Sequence, residues 1–313
     1  MHKKDFDLLC IGEIIVDFLP EKSGLTIAES ATFKKFPGGA PANTAAGAAR
    51  LGLHTAFMGG IANDEFGLFL LNALKNQNID VSQCQLIEDA QTALAFVSHD
   101  KNNERSFVFY REQSADLSFD PKNTDMSIFK KTRVMLVNSN LLRERRIFEF
   151  AKSGADIARA AGGKVFFDPN LRPNLWRHKE DMAGRVRQMI HHSDIVRLNK
   201  AEWTAINYTK SDFFNAGVKV LIITDDSRTI KLLTPDHTIF LTPRPRKVAD
   251  TTGAGDGFNA GFIKGMFACS AEPPLQSNIC ALLFAEQVAG KVVEKLGAFC
   301  AMPHLSDIEN PKK

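Results

Sequence analysis

The stretch Ala249–Ile263, ADTTGAGDGFNAGFI, decides how the rest of the chain is read. Gly253, Gly255 and Gly257 form a turn that runs into a segment of small and apolar residues, FNAGFIKGMFA, suited to a helix pressed closely on a sheet. Glycine there permits positive φ and leaves backbone N–H groups bare, so the turn makes a nest for an anion at a helix N-terminus. Asp256 stands inside that nest, a carboxylate where phosphate is expected. Phosphoryl transfer removes the contradiction. The amides hold the transferring group, whose charge spreads over its equatorial oxygens, and the carboxylate accepts the proton of an attacking hydroxyl, often that of a sugar. A first-turn Asp that only complements the helix dipole is the plainer reading, and this motif alone leaves both open. Other nucleotide motifs fit worse. A dinucleotide fingerprint belongs to the first βα unit, whereas this turn comes late in the chain. The sequence ARAAGGKV lacks both the first glycine of a Walker A loop and a Ser or Thr after Lys164.

Outward from this turn, short β-rich runs alternate with helical ones, the pattern of an α/β fold with a mostly parallel sheet. DLLCIGE reads as a first strand, and PANTAAGAARLG as a helix with Pro41 near its first turn and Gly52 past its end. TAFMGGI is a strand, and DEFGLFLLNALKNQN carries apolar residues at helical spacing. Later strands are RVMLVNS, KVFFDPN, DIVRLN and VKVLIIT, with helices such as Glu144–Ala161 and Glu180–His192 between them. Two places break the rhythm: EIIVDFLPE with ATFKKFP, and TALAFVSHDKNNERSFVFYR, the second turning at DKNNE with apolar alternation on both sides. Four such strands predict a small separate sheet, either a lid over a site or an ordinary edge extension. The lid segments span about 13–37 and 91–112, inserted in a single domain over 1–313.

The 313 residues suffice for a large buried core. Lys and Arg number 39 against 36 Asp and Glu, a net charge of +3 that argues against nucleic acid as a partner. The basic cluster in LLRERRIFEF reads as a solvated helix face. Five cysteines without a CxxC pair give neither a disulfide framework nor a zinc site, which points to a reducing, cytoplasmic setting. Glu13 and Asp17 interrupt the apolar stretch near the start, against a signal peptide, and no run of about twenty apolar residues predicts a membrane span.

DTTGAGD resembles the C-terminal signature of the ribokinase-like (phosphofructokinase-B type) sugar kinases, and PGGAPANTAAGAARLG resembles their N-terminal signature. GEIIVDFLP, TALAFVSHD with ERSFVFYR, SADL, FDPNLRPNLW, LNKAEW and GAFCAMP are similar, in order, to the fructokinase and 2-keto-3-deoxygluconate kinase branch, so the likeness spans nearly the whole chain. The resemblance implies a doubly wound α/β domain of about nine strands with a β-sheet lid, ATP as donor and Mg2+. It implies Asp256 as the base and the amides of Gly253, Ala254 and Gly255 as the anion hole. Asp17, Gly39 and Asn43 take positions that hold sugar hydroxyls; without the resemblance Asp17 reads as a strand-end cap and Asn43 as a helix-start residue. Asn199 and Glu202, three apart at a predicted helix start, fall near the phosphates and a hydrated magnesium, against a plain capping pair. Arg111 and Arg172 match basic residues near the sugar and phosphates, with simple salt bridges as the alternative. Asp168 and Asn170 are weaker candidates for site lining, and Trp176 reads as packing. Asp250 with the KLGAF loop matches a monovalent cation site, which raises potassium activation. Lids of this family often pair between subunits, hence a homodimer.

The departure lies at IITDDSRTIKLL, where Asp226 and Thr229 replace the glycines of a TLGxxG-type nucleotide turn and Thr224 remains as a phosphate contact. The reading is an ATP-dependent kinase acting on the primary hydroxyl of a small sugar, fructose first. A 2-keto-3-deoxygluconate kinase is the nearest alternative, its acceptor carboxylate calling for an added positive charge that Arg105, Arg111 or Arg172 could supply. A nucleoside kinase ranks third, with only two Trp and two Tyr to build a slot for a base. A catalytically silent sugar-binding protein is the alternative of a different class.

Overall fold

The computed structural model describes residues 4–22, 24–99, 105–176, 179–225 and 228–309. Among these, the alternation of strand and helix builds one large sheet from β1 (Phe6–Ile11), β4 (Thr55–Ala62), β5 (Asp80–Ile87), β8 (Thr132–Asn138), β9 (Lys164–Asp168), β10 (Ile195–Asn199), β11 (Val220–Asp225), β12 (Thr229–Leu233) and β13 (Thr238–Leu241). Its order is β13-β12-β11-β10-β9-β8-β1-β4-β5. Pairing is parallel from β5 to β11 and turns antiparallel only at the β12 and β13 edge.

The inner strands are apolar on both faces because helices cover both, as a parallel sheet requires. Along β1 the faces alternate: Leu8 and Cys10 point to one core, Leu9 and Ile11 to the other. The first core takes α1 (Ala40–Arg50), α2 (Glu65–Lys75), α9 (Ala254–Ala268) and α10 (Pro274–Val292). The second takes α5 (Arg145–Ala160), α6 (Lys179–His191), α7 (Lys200–Ile206) and α8 (Lys210–Asn215), with the short helices α3 (Ala115–Ser118) and α4 (Ser127–Lys130) beside it. In α5 the residues Ile147, Phe148, Ala151, Ala155 and Ala158 are buried, while Arg145 and Arg146 face solvent, as the helical spacing requires.

The two segments that break the rhythm form the second sheet: β2 (Ile15–Pro20), β3 (Phe33–Gly38), β6 (Leu94–His99) and β7 (Arg105–Tyr110), in the order β3-β2-β6-β7. The DKNNE turn between β6 and β7 lies outside the described residues. Ile15, Asp17, Ala95, Val97, Phe107 and Phe109 point to one side of this sheet and line a cavity shared with the large sheet.

One expectation from composition is corrected. Cys269 and Cys280 are placed as a disulfide pair, Cα atoms 6.3 Å apart, because α9 and α10 pack antiparallel and bring their joined ends together. Cys10, Cys84 and Cys300 are free. No helix of the described residues is long and apolar enough to cross a membrane.

Candidate active site

The cavity, about 310 Å³, lies between the ends of the parallel strands and the inner face of the small sheet. Strand ends at a sheet crevice are where open α/β folds place their ligands. Asp256 sits in the first turn of α9, 8% exposed, and its Oδ2 accepts a hydrogen bond from Asn43 Nδ2 at 2.8 Å. Asn43 belongs to the first turns of α1, so the two glycine-bearing segments, 213 residues apart, meet at this bond. Burial pushes the Asp256 carboxyl up to about 7; the Asn43 bond opposes that, Asp168 adds to it, and Arg197 and Arg172 oppose it.

Gly253 precedes α9 with φ of 78°, and the helix start has no side-chain cap. A Cβ on Gly253 would fall 2.5 Å from the Ala298 Cβ, so glycine is required both for the left-handed backbone and for the space. The expected anion hole is narrower than read, since the Ala254 N–H already donates to the Thr251 carbonyl at 3.3 Å. A Cβ on Gly255 would come within 2.7 Å of Arg197 Nη1, so the bare turn faces a guanidinium. A turn with a helix N-terminus and a fixed cation beside it fits the triphosphate of a nucleotide.

Asp17 lines the same cavity from β2, 8% exposed. Burial, then the charges of Asp256, Asp250 and Glu13, raises its carboxyl to about 7. Gly38 on β3 leaves room for it: a Cβ there would lie 2.1 Å from Asp17 Oδ2. Gly39 and Arg172 also line the cavity, and Arg172 Nη1 donates to its neighbour's carbonyl, Leu171 O, at 3.0 Å.

Asn199 and Glu202 form the capping box of α7: Asn199 Oδ1 accepts from the Glu202 N–H and Glu202 Oε2 from the Asn199 N–H, each at 2.8 Å. Glu202 Oε1 accepts from the Leu171 N–H at 2.7 Å. The pair is therefore a cap, but a buried one, with Glu202 5% exposed and its carboxyl raised by burial and by Asp168. Asp168, at the end of β9, accepts from Asn259 Nδ2 at 2.6 Å through Oδ2, while its buried Oδ1 accepts no hydrogen bond among the described residues. Glu202 and Asp168 are two buried carboxylates, and the Asp168 Oδ1 left without a donor among the described residues is an oxygen that a hydrated divalent cation can use. The described residues bring no three metal-ligating side chains together, so such an ion would keep most of its waters.

Asp250 Oδ1 accepts from the Thr252 N–H at 2.8 Å and hydroxyl at 2.7 Å, and Oδ2 accepts from the Gly297 N–H at 3.1 Å. The signature and the KLGAF loop are thus tied together. Thr224 Oγ1 accepts from Arg197 Nη2 at 3.1 Å, which engages the hydroxyl expected to meet phosphate. Asp226 lies outside the described residues; Thr229 pairs with Asp225 in the β11–β12 ladder.

Arg111 lines the cavity, and the alternative reading, a salt bridge, holds for it as well. Its guanidinium is buried and forks onto Asp116 Oδ2, with Glu13 Oε2 at 3.6 Å from Nη2. Glu13, Asn140, Arg197 and Asn259 were not read from the sequence as site residues. Arg197 had a signal: a charged residue between Val196 and Leu198 in a strand whose neighbours are buried on both faces. Trp176 packs in the core, as expected.

Residues 5–305 match the family described as pfkB family carbohydrate kinase. A relative described as probable fructokinase-6, chloroplastic, from Arabidopsis thaliana is 33% identical over 308 residues, covering 95% of this chain and 79% of that protein. A crystal structure of fructokinase with bound ATP from Xylella fastidiosa superposes with a TM-score of 0.85 at 30% identity, over 96% of both chains. A fructokinase structure from Vibrio cholerae O395, in a form with fructose, ADP and calcium ion bound, gives 0.84 at 25% identity, again over 96% of both. This chain belongs to the pfkB family of carbohydrate kinases and is a sugar kinase.

Proposed function

We propose that the chain transfers the γ-phosphoryl group of ATP to the primary hydroxyl of fructose, giving fructose 6-phosphate. The observation that carries this reading is Asp256, buried at the start of α9, bonded to Asn43 and set beside the Gly253–Gly255 turn. In its ionised form Asp256 takes the proton of the acceptor hydroxyl as that oxygen attacks. Asn43 holds the carboxylate in place, Asp17 and Gly39 orient the sugar, and the turn with Arg197 and Arg172 faces the phosphates. A divalent cation, when bound, offsets charge on the transferring group; Glu202, through water, and Asp168 would hold it. Asn199 and Thr224 stand on the nucleotide side of the cavity. A monovalent cation beside Asp250 and the 297–299 loop belongs to the same reading. Closure of the small sheet as a lid would exclude water, which competes with the sugar for phosphate.

Fructose is favoured over an acceptor acid by the commitment of Arg111 to Asp116, which leaves that guanidinium engaged. The fructokinase relatives support the same choice. Exposed Val108 and Tyr110 lie on the outer face of the small sheet, beside Phe96, and support a homodimer through it. A cytoplasmic setting goes with this reading.

Replacing Asp256 tests the mechanism. Asp256→Asn should lower kcat on fructose by about two to four orders of magnitude while nucleotide binding persists. Near-normal turnover in that variant would remove Asp256 as the base.

A further inference from the structure

The cavity also holds polar atoms that the transfer step does not use. Glu13, in the crossing from β1 to β2, and Asn140, just past β8, both line the cavity and are 3% and 5% exposed. Asn140 Nδ2 donates to Glu13 Oε1 at 3.1 Å, which fixes the two side chains against each other. Their remaining acceptors, Glu13 Oε2 and Asn140 Oδ1, take no hydrogen bond among the described residues. The nearby cation does not supply one: Arg111 Nη2 lies 3.6 Å from Glu13 Oε2, beyond hydrogen-bond reach, and is turned to Asp116. Asp17 is raised by the charges of both Asp256 and Glu13, so it lies within electrostatic reach of each.

Buried acceptors without donors are costly, and native proteins leave few of them. Two such atoms on one cavity wall, fixed by a mutual bond and a buried ion pair, are a preformed place for hydroxyl donors. We propose that Glu13 and Asn140 form a hydroxyl-reading subsite that receives the part of the sugar remote from the phosphorylated hydroxyl and sets the enzyme's preference for a neutral polyol. The inference rests on the sugar-kinase reading. An acceptor with a hydroxyl there donates to Glu13 Oε2 or Asn140 Oδ1. An acceptor with a carboxylate there meets Glu13 and Asp17 instead, and like charges repel. A site built around buried acceptors also rejects an analogue that lacks the hydroxyl, since its own groups then stay unpaired.

The test compares fructose with two analogues that each lack one remote hydroxyl, 1-deoxyfructose and 2,5-anhydromannitol. Coupled ADP release is measured for the native enzyme, Glu13→Gln and Asn140→Ala. The native enzyme should prefer fructose over at least one analogue by about 10–100-fold in kcat/KM. Each variant should lose most of that preference, chiefly through a higher KM for fructose with the KM for ATP unchanged. A residue that only supports the fold lowers kcat/KM for fructose and analogue alike, so an unchanged ratio in both variants overturns the inference. Melting curves identify a variant that fails to fold, and the other then decides. If the native enzyme releases ADP no faster with any sugar than without, the kinase reading falls and takes the inference with it; a rate on fructose with unaltered ratios overturns the inference alone.

Discussion

Asp256 carries opposing demands. Burial favours its neutral form, yet only the carboxylate can accept a proton, and the enzyme balances the two with Asn43, Arg197 and Arg172. A carboxyl held near 7 predicts that kcat/KM on fructose rises with pH along an acid limb centred at about 7. Arg197→Gln removes a positive neighbour, favours the protonated form and should move that limb to higher pH by about half a unit to one unit. A limb that stays in place or moves down would show that Arg197 does not govern this carboxyl. The sign for folding is opposite in sense. Because the folded value is raised, the contribution to stability is fully present below about pH 4 and is lost as pH rises through about 7. Asp256 was legible as a candidate from its glycine-rich turn, with the helix-dipole reading left open, whereas Asn43 came only through the family resemblance. Arg197 was marked only as a charge in an apolar strand, which does not say which turn it will face.

Among the elements, α9 was read closely: a positive-φ glycine at its start and small residues along it leave few alternatives. The capping box of α7 was foreseen as one of two readings, and its burial against Asp168 and Leu171 reconciles them, because a cap can also fix a carboxylate in a site. The small sheet followed from period-two alternation, which separates Ala95, Val97, Phe107 and Phe109 from Phe96, Val108 and Tyr110. Its outer face stacks Phe18 on Phe96 with ring centroids 4.9 Å apart and leaves Tyr110 63% exposed. An apolar sheet face of this kind fits a second copy of the chain. Tyr110→Asp together with Val108→Asp should convert a dimer to a monomer in sedimentation equilibrium. A native monomer at tens of micromolar would contradict the dimer.

At the scale of the molecule, the doubly wound order brings the N-terminal signature, the β8–β10 ends and the late glycine turn to one edge of one sheet. That convergence was legible only through the family resemblance, because no spacing within the chain states that residues 43 and 256 will touch. The cancellation of Arg111 by Asp116 and Glu13 was beyond sequence reading: a buried ion pair depends on which side chains the crossover delivers together. The disulfide pair between α9 and α10 escaped for the same reason. What the fold assembles is a cavity lined both by the carboxyls of Glu13, Asp17 and Asp256 and by the guanidinium groups of Arg111, Arg172 and Arg197, the two kinds of group that phosphoryl transfer to an alcohol uses. The most direct measurement is coupled ADP release with ATP and magnesium, with and without potassium, on fructose, 2-keto-3-deoxygluconate, ribose and no acceptor. The account predicts a rate on fructose far above the rate without acceptor and above that on the keto acid; equal rates with and without every sugar would contradict it.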